Sequence, residues 1–157
     1  MRARAVRGLD PKAPLRPNAA AIVQTRLDEL RSFAPGALEP SAATAQHDMR
    51  IAAKRLRYAL EIVGDCFGEE AHAARLAAKQ LQDVLGDLHD CDVMLPNAGP
   101  IQSLEALLRT RRELLFQRFL DLWRAEVERG TWTALERALQ ARVPMAAAAK
   151  GGPTAAR

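Results

Sequence analysis

His47, Arg50, Lys54, Arg55, Arg57 and Tyr58 bring four cations, an imidazole and an aromatic ring into one short stretch of chain. With successive residues turned by about 100°, His47, Arg50, Lys54, Arg57 and Tyr58 fall within roughly one third of a helix circumference. Arg55 lies to one side of them. Met49, Ala52, Leu56, Ala59, Leu60 and Val63 take the opposite side, so a core face and a cationic face are separated. Like charges at this spacing repel by a few tenths of a kcal/mol per pair, and helix propensity alone does not select them. A polyanion lying along the stripe would offset that cost. A solvated or salt-bridged face carries the same spacing, because basic runs are common in a chain rich in arginine.

The residue types define the chemistry on offer. An arginine fork can grip two phosphate oxygens, whereas lysine acts as a mobile point charge. One helical turn advances about 5.4 Å, so Arg50, Lys54 and Arg57 would meet successive portions of a linear phosphate chain. Only Tyr58 offers a stacking platform, which favours a polymer without bases over DNA or RNA. His47 has two readings. As a ligand-binding residue it would donate to phosphate and tighten binding as pH falls toward about 6.5. As a structural residue it would hydrogen-bond within the fold. Glu61, near the end of the same face, is placed to orient Arg57 or Tyr58.

A second cluster, Asp87, His89, Asp90, Cys91 and Asp92, has metal-like residue types. Its spacing matches no standard helical ligand pair, and its carboxylates are expected to serve as partners for arginines and lysines. Cys66 and Cys91 are the only cysteines, form no CxxC pattern and are expected to be buried thiols.

The run HDMRIAAKRLRYALEIV at 47–63, followed by KQLQDVLGDLHDCDVML at 79–95, resembles the CHAD domain, a conserved-histidine α-helical family. In that family a histidine and an arginine precede further basic residues on one helix, and a later helix carries a leucine, glutamine, glycine and aspartate pattern. The upstream VRGLDPKAPLRPNAA is similar to the approach to such a motif, so the resemblance runs over residues 5 to 140. It implies a noncatalytic module that binds inorganic polyphosphate through His47, Arg50, Lys54, Arg55 and Arg57, with Lys79 contributing from the second motif. It also implies that Asp90 holds basic side chains in place. The family typically carries two histidine-basic motifs in paired helical bundles, and this chain has one. Two copies related by a two-fold axis would restore the duplicated arrangement, so a homodimer is expected.

The elements that must position these residues read as helices. A chain of 157 residues with 48% hydrophobic content can bury one core without disulfides or metal. Alanine, leucine, arginine and glutamate dominate it, which favours helices over strands. The fold class expected is all-α, an antiparallel bundle of about five helices resembling one half of a two-bundle CHAD domain. The first helix is placed at 18–33, ending before Pro35 and Gly36, with Ile22, Val23, Leu27 and Leu30 on its apolar stripe. The second runs from an N-cap at Ser41 to about Gly64. The third runs from Glu69 into the 80s, with Arg75, Lys79 and Gln82 on one face and Leu76, Leu81, Leu85 and Leu88 toward the core. Antiparallel neighbours, the second and third helices would line one groove with their polar stripes.

The fourth helix is expected from Pro100 to Arg129, packing through Leu104, Leu107, Leu108, Leu115, Phe119, Leu122 and Trp123. Its Arg111 and Arg118 would either extend the anion site or pair with Glu105 and Asp121 at the surface. A last helix follows Thr131, with Thr133 and Glu136 spaced as a capping box.

Residues 1–16 form a basic arm whose prolines oppose an early helix, 17–143 form the bundle, and 144–157 form a disordered tail. The arm carries the whole net charge of +4, so the basic character of the bundle is local rather than that of a general nucleic-acid coat. No run reaches the roughly 20 apolar residues of a membrane span, and the first residues lack the apolar core of a signal peptide. The chain is therefore expected in the cytoplasm, on polyphosphate granules. Two other function classes stay open: a histidine- or metal-dependent phosphoryl enzyme, and a helical partner for an acidic protein. No cofactor is expected.

Overall fold

A computed structural model describes residues 2–99 and 101–141, and among these the chain is helical without strands. The elements are α1 (Leu15–Ala37), α2 (Ala43–Val63), α3 (Gly68–Met94), α4 (Gln102–Glu128) and α5 (Thr131–Gln140). Single 3₁₀ turns at Gly64–Cys66 and Leu95–Asn97 follow α2 and α3. The tail expected from 144 and the helix start expected at Pro100 lie outside the described residues.

Apolar stripes at the helical period create one core. Val23, Leu27 and Leu30 of α1 meet Met49, Leu56 and Leu60 of α2, Leu81, Leu85 and Leu88 of α3, Phe116 and Phe119 of α4, and Trp132 and Leu135 of α5. The central element is α3, which packs on α2, α4 and α5, while α1 covers α2 and α5. Helices α2 and α3 run antiparallel: His47 lies against His89 near one end, and Gly64 approaches Ala71 near the other. Buried Ala52 and Ala53 on α2, with Ala74, Ala77 and Ala78 on α3, present little volume and permit close approach.

Several expected boundaries shift. Pro14 and Pro17 open α1 instead of preventing it, since the first turn has no intrahelical use for their missing N–H groups. The arm is thus shorter than 16 residues, and Arg16 is helical. Its guanidinium donates to the carbonyls of Cys66, Ala138 and Ala141 and lies 4.8 Å over the Phe67 ring. Residues 2–10 lack regular structure, and the arm is tied to α1 where the Arg4 amide donates to Glu29 at 3.3 Å and Arg26 donates to the Arg4 carbonyl at 2.9 Å. Pro35 does not end α1: buried Ala34 and Ala37 hold the last turn, and the Leu38 amide still bonds Ala34 at 3.1 Å.

Ser41 is not the cap of α2, which starts after Ala42 with no side-chain cap. Buried Gln46 serves the connection instead, donating to the Glu39 carbonyl at 2.8 Å. Nor does the capping box of α5 form. Glu136 accepts from Arg31 at 3.1 Å, and left-handed Gly130 makes the turn while the Thr131 hydroxyl donates to buried Glu126 at 2.6 Å. Helix α3 runs past the 80s to Met94, since its apolar period continues through Leu85, Leu88 and Cys91. Leu76 and Leu107 share the spacing of the core positions, yet both are exposed. Cys91 is buried and Cys66 half-buried, and both are free thiols.

Candidate anion-binding groove

The α2 stripe and one α3 face meet along their length. On α3, residues 75, 79, 82, 86 and 89 recur at three- and four-residue steps and so share a face. The His47 and His89 rings lie 4.4 Å apart, tilted by 46°. One turn along, Arg50 passes over Gly86, its Nε 3.4 Å from where a β-carbon on that glycine would stand. The same antiparallel register sets Lys54 across from Gln82 and Arg57 across from Lys79.

The groove contains buried polar atoms without hydrogen-bond partners among the described residues: His47 Nδ1, Arg50 Nε, Arg57 Nε and Gln82 Oε1. Arg57 Nε stands 3.8 Å from Glu61, a charge contact too long for a hydrogen bond. Tyr58 is exposed, with the Arg57 guanidinium 4.5 Å and the Lys54 ammonium 5.7 Å from its ring centre. Its ring therefore steadies two cations and is not a vacant stacking platform.

The remaining candidates are distributed differently. Arg55 turns toward α1, bonding fully buried Glu29 at 2.8 Å beside Arg26 at 2.7 Å. Lys79 is on the expected face but pairs with Asp83 at 2.6 Å, an exposed bridge one turn along its own helix. Arg75 is half-buried on the same face. Asp90 is exposed and makes no ion pair or hydrogen bond among the described residues, so it holds no basic side chain there.

Arg111 and Arg118 are both exposed on α4. Arg118 lines a separate cleft of about 250 Å³ between α3 and α4, facing Asp83 and Asp87. The pairs expected with Glu105 and Asp121 are made instead by Arg109 at 2.6 Å and Arg124 at 3.5 Å, their i,i+4 and i,i+3 neighbours.

Sequence reasoning missed Arg112. This α4 residue bonds Asp92 at 2.5 Å, Gln46 Oε1 at 3.0 Å and the Pro40 carbonyl at 2.9 Å, fixing the helix start from which His47 projects. Asp92 thus serves as an arginine partner, as expected of the 87–92 cluster. Among the described residues no group of three histidine, cysteine, aspartate or glutamate side chains could hold a metal ion.

Burial, followed by the charges of His89 and Arg50, pushes the His47 imidazole below its ordinary value, with Asp48 opposing. The neutral ring is therefore favoured by the fold. Its contribution to stability is full above the unfolded value of about 6.5 and is lost as pH falls through the folded one. Acid should lower the melting temperature over that window, and His47→Gln should reduce the slope. A bound polyanion would favour the imidazolium, so affinity should rise over the same acid range, below the pH of about 6.5 expected for an unperturbed ring. Calorimetric titrations at stepped pH check both signs; equal slopes in wild type and His47→Gln would remove His47 from the linkage.

No curated protein and no solved structure matches the chain. No helix among the described residues is long and apolar enough to cross a membrane. The CHAD domain model matches residues 2–96, taking in the arm, α1, α2 and α3. The match stops short of α4 and α5, so it covers less than the 5–140 expected from the motifs. It runs through both stripes of the groove and over more than half of the sequence, and the chain therefore belongs to the CHAD domain family.

Proposed function

We propose that this chain binds inorganic polyphosphate, without catalysis, in the groove between α2 and α3. One observation carries the reading: three nitrogens of His47, Arg50 and Arg57 are buried there with no hydrogen-bond partner among the described residues. A buried donor left unpaired costs about 1–3 kcal/mol, and phosphate oxygens would supply the missing acceptors. The CHAD family's association with polyphosphate-related proteins points the same way. Arg50, Lys54 and Arg57 form the gripping set, with Lys79, Arg75 and Gln82 on the facing helix. Arg55 acts through the fold, and Arg111 and Arg118 stand outside the groove.

Binding is favoured over phosphoryl transfer because His47 Nδ1 has no hydrogen-bond partner among the described residues to orient the ring as a nucleophile or base. Since the chain carries one histidine-basic motif, two copies about a two-fold axis would complete the site. Cytoplasmic polyphosphate granules are the location this function implies.

Titrating the purified chain with long-chain polyphosphate at several salt concentrations, read by light scattering, tests binding and mass together. The expected result is a salt-sensitive complex containing two protein copies, with no phosphate released. Absence of binding near physiological salt would overturn the reading in favour of an acidic protein partner, and released phosphate would overturn it in favour of an enzyme.

A further inference from the structure

Gly86 occupies the interior of α3, where glycine is among the least favourable residues for helix stability. Its backbone does not require glycine. The glycines with left-handed φ are Gly8, Gly68, Gly99 and Gly130, and Gly86 is not among them. Any L-residue could adopt its conformation, so space rather than φ is what glycine provides. That space is used by one atom: the nearest neighbour of a β-carbon built on Gly86 is Arg50 Nε at 3.4 Å. The same Nε is buried and lacks a hydrogen-bond partner among the described residues. An arginine of α2 is thus laid over a bare stretch of α3, while His47 one turn away already meets the ring of His89.

We infer that Gly86 is a positioning residue for the anion groove, leaving α3 bare so that the Arg50 side chain can cross the helix pair. The inference rests on the polyphosphate reading for its ligand and on the Arg50 to Gly86 approach for its geometry. Helix stability and ligand affinity make opposite demands at this position. A side chain longer than alanine's would improve the helix and lift Arg50 away. Alanine brings a β-carbon into contact with Nε, whereas methionine, also a good helix former, fills the space that the arginine chain crosses.

The test uses the full chain with Gly86→Ala and Gly86→Met, each alone and combined with Arg50→Ala. Gly86→Ala, whose β-carbon at 3.4 Å only touches Nε, should melt at or above the wild-type temperature and bind long-chain polyphosphate within about threefold of wild type. Gly86→Met should bind about tenfold more weakly, the scale of one displaced charge-assisted contact. Neither should cause a further loss once Arg50 is alanine, because Gly86 acts through that side chain. Wild-type affinity in the Gly86→Met variant, or a loss that persists in the Arg50→Ala background, would overturn the inference. A ligand-free readout separates the two proposals: the Arg50 Nε–H proton should exchange faster with water in the Gly86→Met variant. If the wild-type chain binds no polyphosphate, the functional reading fails, and exchange alone decides Gly86, with unchanged exchange overturning it.

Discussion

Replacing Arg50 and Lys54 together by alanine is expected to weaken polyphosphate binding about 100-fold, at two charge-assisted contacts worth roughly 1.5 kcal/mol each. The logarithmic dependence of affinity on salt should also flatten, because fewer phosphates are neutralised and fewer counterions released. The fold should persist. Both side chains are half-buried on the polar side of α2, while Met49, Leu56 and Leu60 carry its packing. Removing like charges along one face should itself stabilise the helix slightly. Circular dichroism and a melting curve establish that the variant is folded, and the salt-stepped titration supplies the rest. A folded variant with the wild-type affinity and salt slope would refute the groove.

The second large effect concerns stability. Glu29 is fully buried, and its carboxylate accepts from Arg26, from Arg55 and from the Arg4 amide. The Arg26 and Arg55 side chains are only 14% and 25% exposed. Glu29→Ala would leave two partly buried guanidinium groups without their shared counter-charge, a change that typically costs about 3–5 kcal/mol. A fall in melting temperature of roughly 10 °C is expected for a domain of this size. Arg55→Ala should also destabilise the fold, yet its folded fraction should bind polyphosphate within about threefold of wild type, a small change on the affinity scale. Loss of affinity equal to that of Arg50→Ala would return Arg55 to the groove.

The helices and the two facing stripes were legible because each is written locally. Met49, Leu56 and Leu60 repeat at the helical period, and Arg75, Lys79 and Gln82 do so on α3. Continuing that α3 period by four and seven residues reaches Gly86 and His89, but acidic neighbours made His89 read as part of a metal-like cluster. Arg55 was illegible for a different reason. A helical wheel gives the direction of a side chain but not the helix that lies there, and Glu29 looks like a surface residue until α1 is folded over it. Arg112 has no local signature at all, since its contacts with Gln46 and Pro40 span 66 and 72 residues. The end of α1 was misplaced because Pro35 opposes a helix locally while buried Ala34 and Ala37 favour it through packing.

Arg16 sets an order of events for a chain made from its N-terminus. Its carbonyl partners at Ala138 and Ala141 lie 122 and 125 residues downstream. At about 5–20 residues per second, synthesis brings them out on the order of ten seconds after the arginine itself. The elements from α1 to α3 can therefore associate, with this guanidinium already on the Cys66 carbonyl and the Phe67 ring, while its two downstream acceptors are still missing. Closure across the ends of the bundle comes last, and a ribosome stalled before residue 138 would hold a nascent chain whose cationic groove is assembled but whose final latch is open.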